Sequence, residues 1–193
     1  MNKQKIWNSG YLDGTDYIKI TEEEVNEIIN KLDLNKNPAA LDIGCGTGDL
    51  ACKLAAKGLK VTGIDISDVA IEQAQARSNS SFITYKVFDI EKDDVNKLGK
   101  FDLAVAKLSL AFIEDKPLLL QKVKCLLRPK GLLVIINPVI FNPQPEMPPR
   151  LNKISVKEEV TLSALKENNF KLTNKTEKPL SNYHKMVTYF ATC

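Results

Sequence analysis

The chain of 193 residues holds one histidine, His184, and only three arginines among its 27 basic residues. A single histidine excludes the HExxH zinc helix and any multi-histidine metal centre or relay within one chain, so no metal is expected. Arginine reads bases and phosphates through paired hydrogen bonds, so its scarcity argues against dedicated duplex recognition. The four cysteines, at 45, 52, 125 and 193, form no CxxC pair and no zinc-ligand spacing. A Cys45–Cys52 disulfide is open on spacing alone. Residues 1–7 carry no apolar leader-like run, and the expectation is free thiols in a reducing cytoplasm. The longest apolar run, residues 132–136 continued past Asn137 and Pro138 to Phe141, is about half of a membrane span, so no membrane role is expected.

What is present is ordinary globular usage, 44% hydrophobic and 26% charged, which excludes disorder. The length suits one domain that buries about 70% of its unfolded surface without staples. The net charge of +3 is uneven: residues 150–193 carry 8 basic against 4 acidic residues, and residues 1–149 carry 19 against 20. A basic last segment is open to an anionic substrate or a nucleic acid, though a solvated lysine surface is the simpler reading.

Thr21-Glu22-Glu23-Glu24 is a capping box, and Val25, Ile28, Ile29 and Leu32 continue a helix to about residue 33. Residues 39–43 form a short apolar strand that enters Gly44-Cys45-Gly46-Thr47-Gly48, followed by a helix to about Lys57. Strand and helix then alternate: strand 60–66, helix 68–77 capped by Ser67, strand 82–88, strand 101–106, helix 116–127 and strand 132–136. Such alternation predicts a mostly parallel, doubly wound α/β sheet covered on both faces. Residues 142–150 hold four of the nine prolines and read as an extended loop. Ser155 is placed to cap a helix over 156–168, and strands 170–176 and 183–192 flank a turn at 179–182. The expected organisation is a single domain over 1–193: an N-terminal lid and helix (1–37), a cofactor-binding core (38–141), and a loop, helix and two strands (142–193).

The first strand-to-helix turn is the informative feature. Ligands of doubly wound sheets bind past the carboxyl ends of the strands, where glycines let them touch bare backbone. Asp65, at the end of the second strand, is placed to accept from a ribose diol. A dinucleotide site wants GxGxxG; here the third glycine is Gly48, and Asp49 follows it. A carboxylate at that helix start repels a pyrophosphate. A cationic sulfonium with an amino-acid end, S-adenosylmethionine, suits the loop better.

Leu41-Asp42-Ile43-Gly44-Cys45-Gly46-Thr47-Gly48 resembles motif I of the class I S-adenosylmethionine-dependent methyltransferases. Gly63-Ile64-Asp65-Ile66-Ser67 resembles the strand-two acidic motif of that family, and Phe88-Asp89-Ile90 its site after strand three. Leu126-Leu127-Arg128-Pro129-Lys130-Gly131-Leu132 resembles its "LkPGG" stretch, with lysine in place of the first glycine. The resemblance reaches from about Asp33 to Cys193. It implies a seven-stranded Rossmann-like sheet with the last strand antiparallel, and methyl transfer to an acceptor, with a small molecule favoured.

The resemblance also implies roles. Gly44, Cys45 and Gly46 would approach the methionine end of the cofactor. Asp42 would orient the loop or meet the amino group. Asp65 would hold the ribose, Ile66 and Ile90 would flank the adenine, and Asp89 would accept from its amino group. Lys107 and Leu108 would lie under the methyl. Trp7, Tyr11 and Tyr17 are candidates for a lid by cation–π contact, and residues 142–150 for a wall of the acceptor site. No general base is identified: His184 reads as an exposed turn residue, and Lys107 reads as cover. Ala106-Lys107-Leu108-Ser109 lacks the N/D-P-P-Y/F motif of adenine-N6 enzymes. Alternatives are a tRNA or protein acceptor, an NAD(P)-dependent oxidoreductase, and a non-catalytic cofactor-binding regulator. The oligomeric state has no signature in the sequence.

Overall fold

A computed structural model describes residues 3–14, 18–145, 147 and 149–193. Seven strands, β1 (Ala39–Ile43), β2 (Lys60–Asp65), β3 (Ile83–Val87), β4 (Phe101–Lys107), β5 (Leu127–Ile140), β6 (Lys171–Pro179) and β7 (His184–Thr192), form one sheet ordered β3-β2-β1-β4-β5-β7-β6. β1 pairs with β2 and β2 with β3 in parallel, and β7 runs antiparallel to both β5 and β6. The expected doubly wound, mostly parallel sheet with an antiparallel last strand is therefore the observed architecture. The chain packs as two compact units, Met1–Phe101 and Asp102–Cys193.

In the first unit, helices α1 (Lys3–Leu12), α2 (Glu22–Ile29), α3 (Asp49–Ala56) and α4 (Asp68–Arg77) accompany β1, β2 and β3. The capping box is formed: Thr21 Oγ1 accepts from the Glu24 N–H at 3.2 Å, and Glu24 accepts from the Thr21 N–H at 2.8 Å. That helix stops at Ile29, short of the expected residue 33. Asp33 accepts from the Asn35 N–H at 3.2 Å and starts a 3-10 turn, a local bond that competes with the helix. Ser67 caps α4 as expected, accepting from the Ala70 N–H at 3.1 Å. Ile20, Val25, Ile28, Leu41, Leu54 and Ile64 are buried and form this unit's core.

The second unit carries α5 (Lys116–Leu126), α6 (Pro149–Ile154) and α7 (Glu158–Glu167). Asp115 caps α5 by accepting from the Leu118 N–H at 2.8 Å. β5 runs to Ile140, well past the expected residue 136. Leu108 N–H donates to Ile136 O at 2.8 Å, so Pro138, two residues on and without an N–H to donate, falls beyond the end of β4. The proline loop is shorter than expected, because Pro149 opens α6 at a position where helices tolerate proline. Ser155 does not cap α7. Its hydroxyl donates to Leu151 O at 2.7 Å and closes α6, while Lys157 stands at the start of α7 with no side-chain cap.

Candidate functional site

β1 delivers Asp42 to the glycine loop, and α3 leaves from it. Gly44, Gly46 and Gly48 hold φ values of 71°, 51° and 83°. The loop is tied to the end of β2: the Gly44 and Cys45 N–H groups both donate to Ile64 O, at 2.8 and 2.9 Å. Asp65 braces the same loop, one oxygen accepting from the Gly46 N–H at 2.9 Å and the other from the Ser67 N–H at 2.9 Å.

The charge of this loop region is legible in its titrating groups. Asp42 and Asp65 are 2% and 7% exposed. Burial raises the Asp65 carboxyl above its ordinary range, opposed by the amide bonds from Ser67, Gly46 and Ile66. The buried Cys45 thiol is pushed well up, first by burial and then by the charges of Asp42 and Asp65. The loop region is thus dry and negative, which favours a cationic ligand and opposes a phosphate. Asp49, the first residue of α3, adds a carboxylate that accepts from the Ile20 N–H at 3.2 Å and lies 3.7 Å from Lys53 Nζ.

The segment read as a lid is helix α1. Its buried Tyr11 places its hydroxyl 2.8 Å from where a Cβ on Gly46 would stand, and the Trp7 ring lies 6.2 Å from the Tyr11 ring. α1 is held by a Lys3–Glu91 ion pair, by Ser67 Oγ donating to Asn8 Oδ1 at 2.7 Å, and by Gln73 donating to Tyr11 O at 3.3 Å. Tyr17 lies outside the described residues. Ile90 is buried and Ile66 half-buried. Asp89 closes its own turn, accepting from the Glu91 N–H at 3.0 Å beside Lys92 at 3.5 Å. The four cysteines are free, with no Cys45–Cys52 bond.

Sequence reasoning missed Tyr85. Gly63 pairs with Tyr85 on one side and Asp42 on the other, so the Tyr85 ring lies across the bare β2 position. Its hydroxyl reaches Gly48 O at 3.5 Å and Cys52 Sγ at 3.6 Å. A glycine inside a strand pattern signals such an approach, and Gly63 carried that signal. Arg77 was missed as well: its guanidinium donates to Thr47 Oγ1 at 2.7 Å.

In the second unit, Lys107 ends β4 half-buried, and Leu108 adopts φ 58°, a strained conformation for a bulky residue. His184 is not the exposed turn residue that its sequence position implied. It is fully buried, with Nε2 3.0 Å from Asn152 Oδ1 and Nδ1 3.2 Å from Ser181 Oγ. The connection from Leu180 to Tyr183 folds back on His184, with the Leu180 and Ser181 N–H groups donating to its carbonyl at 2.9 and 3.0 Å, which a strand-edge reading does not foresee. Among the described residues no His, Cys, Asp or Glu cluster fits a metal, and no helix is long and apolar enough to cross a membrane.

Strand, glycine loop and helix under an acidic brace define an α/β protein built for a nucleoside-bearing cofactor. Residues 34–187 match the family model described as a methyltransferase domain, and the chain belongs to that family, the class I S-adenosylmethionine-dependent methyltransferases. It is 31% identical to a malonyl-[acyl-carrier protein] O-methyltransferase of Acetivibrio thermocellus over 61% of this chain and 42% of that protein. It is also 31% identical to a mitochondrial arginine hydroxylase of Homo sapiens, over 68% of this chain and 38% of that one. Its fold is shared with magnesium protoporphyrin IX methyltransferase of Synechocystis with S-adenosylhomocysteine bound: TM-score 0.69, 19% identity, 97% of this chain and 96% of the other. The chain spans less than half the length of the two curated relatives.

Proposed function

We propose that the protein transfers a methyl group from S-adenosylmethionine to a small-molecule acceptor, with residues 1–193 acting as one methyltransferase domain. The observation that carries this reading is the negative, buried loop region formed by Asp42, Asp65 and the glycine turn. It suits the sulfonium and ammonium of that cofactor and disfavours the pyrophosphate of a nicotinamide dinucleotide. When bound, the cofactor supplies an activated methyl on a leaving group that needs no protonation.

The chain's own residues then bind and orient. Asp65 holds the ribose hydroxyls while it braces Gly46. Gly44, Cys45 and Gly46 offer backbone to the amino-acid end, and Asp42 orients it. Ile66 and Ile90 pack beside the adenine, Asp89 accepts from its amino group, and Tyr11 covers the loop. Lys107 is assigned the role of cover for the methyl, and no residue is assigned as a general base. Alignment of the acceptor behind the methyl in a dry site is the main catalytic task.

Transfer to an oxygen is named for two relatives, one of which acts on a malonyl group borne by an acyl-carrier protein, and a small acceptor is favoured over a nucleic acid by the scarcity of arginine, three in the chain. A cytoplasmic setting fits the four free thiols. The test is thermal unfolding with ligand at about 100 times its dissociation constant. S-adenosylhomocysteine should raise the midpoint by about 5–10 °C, from about 2.7 kcal/mol of linkage. A rise with NADH and none with S-adenosylhomocysteine sinks the reading.

A further inference from the structure

Glycines past the end of a strand can leave room for a ligand, but at Gly48 and Gly63 a side chain of the protein fills the space. A Cβ on Gly63 would stand 2.8 Å from Tyr85 Cδ1, and a Cβ on Gly48 2.3 Å from the Tyr85 hydroxyl. Tyr85 projects from β3, in register with Gly63, and reaches across β2 to the loop and to α3. The ring therefore touches both ends of the same structure: the β2 segment that leads to Asp65, and the last residue of the glycine loop. The loop backbone sits in left-handed conformations at three glycines, which an unfolded loop is free to leave. Something must hold it, and a rigid ring wedged between β2 and the loop is placed to do so.

We infer that Tyr85 is a positioning residue for cofactor binding: its ring holds the glycine loop at the height at which the loop amides and Asp65 meet the ligand. Arg77, bonded to Thr47 at 2.7 Å, is a second strut on the outer side of the same loop. The ring carries the effect, since its two polar contacts are long, at 3.5 and 3.6 Å. The inference rests on the cofactor reading given above, but the bracing itself is testable without ligand.

Replacing Tyr85 by Val keeps a strand-forming residue and removes the wedge. Hydrogen exchange of the ligand-free protein should show the amides of residues 44–48 exchanging about tenfold faster in Y85V, with β5 and β7 unchanged. If the loop is then competent only about a tenth of the time, calorimetric affinity for S-adenosylhomocysteine falls about tenfold. Tyr85→Phe, which keeps the ring, should stay within about twofold of the parent in both measurements. Unchanged loop exchange in Y85V overturns the inference, as does unchanged affinity. A Tyr85→Phe variant as impaired as Y85V overturns it too, since the hydroxyl would then be the active part. Failure of the parent protein to bind S-adenosylhomocysteine counts against the cofactor reading alone, and loop exchange still decides the bracing.

Discussion

Asp65 ends β2 with both carboxylate oxygens committed to backbone amides, one of them in the glycine loop. Removal of the carboxylate strands two buried donors and frees the loop at once. Each unmet donor costs about 1–3 kcal/mol. Asp65→Ala should therefore weaken S-adenosylmethionine binding at least about tenfold by calorimetry and also lower the urea midpoint; unchanged affinity would remove Asp65 from the site. His184 is the other residue whose environment decides its behaviour. Ser181 Oγ already accepts from the Tyr183 and His184 amides, at 3.1 and 3.0 Å, so its proton is left for Nδ1. Nε2–H then donates to Asn152, and the ring is held neutral. Burial lowers its pKa below the 6.5 of a free imidazole. Above that pH neither folded nor unfolded chain is protonated here, and the residue adds no pH dependence. As pH falls through about 6.5 the unfolded chain takes up the proton first, so stability declines down to the folded-state pKa. Urea midpoints between about pH 7.5 and 5.5 should fall in the parent, and His184→Gln should flatten that slope. An identical slope in the variant would assign it to other groups.

At the scale of elements, local chemistry was legible wherever one residue type fixes a conformation. The Thr21–Glu24 box, the Ser67 cap, the glycine loop and the β1–α3 and β2–α4 alternation all follow from neighbours in sequence. What escaped depended on distant partners. Tyr85 looks like one more alternating strand residue until β2 presents Gly63 beside it. His184 looks exposed until α6, itself hidden in a proline-rich stretch, supplies Asn152. Ser155 looks like a helix start, yet bonds back to Leu151 and ends one. The first residues of β5 keep a departure from the family's pattern: exposed Lys130 holds φ 65° where that pattern has glycine. A left-handed conformation costs an L-residue about 1–2 kcal/mol, of which glycine's greater unfolded-state freedom cancels part. Lys130→Gly should raise stability by about 0.5–1 kcal/mol in urea unfolding. A loss of stability would mean that the lysine side chain contributes more than its backbone strain costs.

Over the whole molecule, the charge of +3 bears on the kind of acceptor proposed above. Of the eight basic residues in 150–193, two are engaged in ion pairs, and the excess of four rests on the others. Lys175 lies 2.6 Å from Glu158 and 2.9 Å from Glu177, and Lys185 lies 2.8 Å from Glu177 and 3.8 Å from Glu158. These two lysines and two glutamates make one neutral cluster, leaving fewer cations to displace counterions from a polyphosphate. Polynucleotide affinity depends on how many phosphates are neutralised, and each contact steepens its fall with salt. A tRNA methyltransferase needs several such contacts at physiological ionic strength, and with three arginines in the chain few of them can be paired, bidentate ones. Filter binding of total tRNA should therefore be weak near 0.15 M salt, with affinity in the non-specific range of about 10⁻⁴–10⁻⁶ M. Tight tRNA binding, or transfer of labelled methyl groups to tRNA in preference to small hydroxyl, carboxyl or amine acceptors, would overturn the small-molecule reading. It would leave the cofactor site intact, because the negative loop region and the Asp65 brace lie in the first unit and the neutral lysine–glutamate cluster lies in the second.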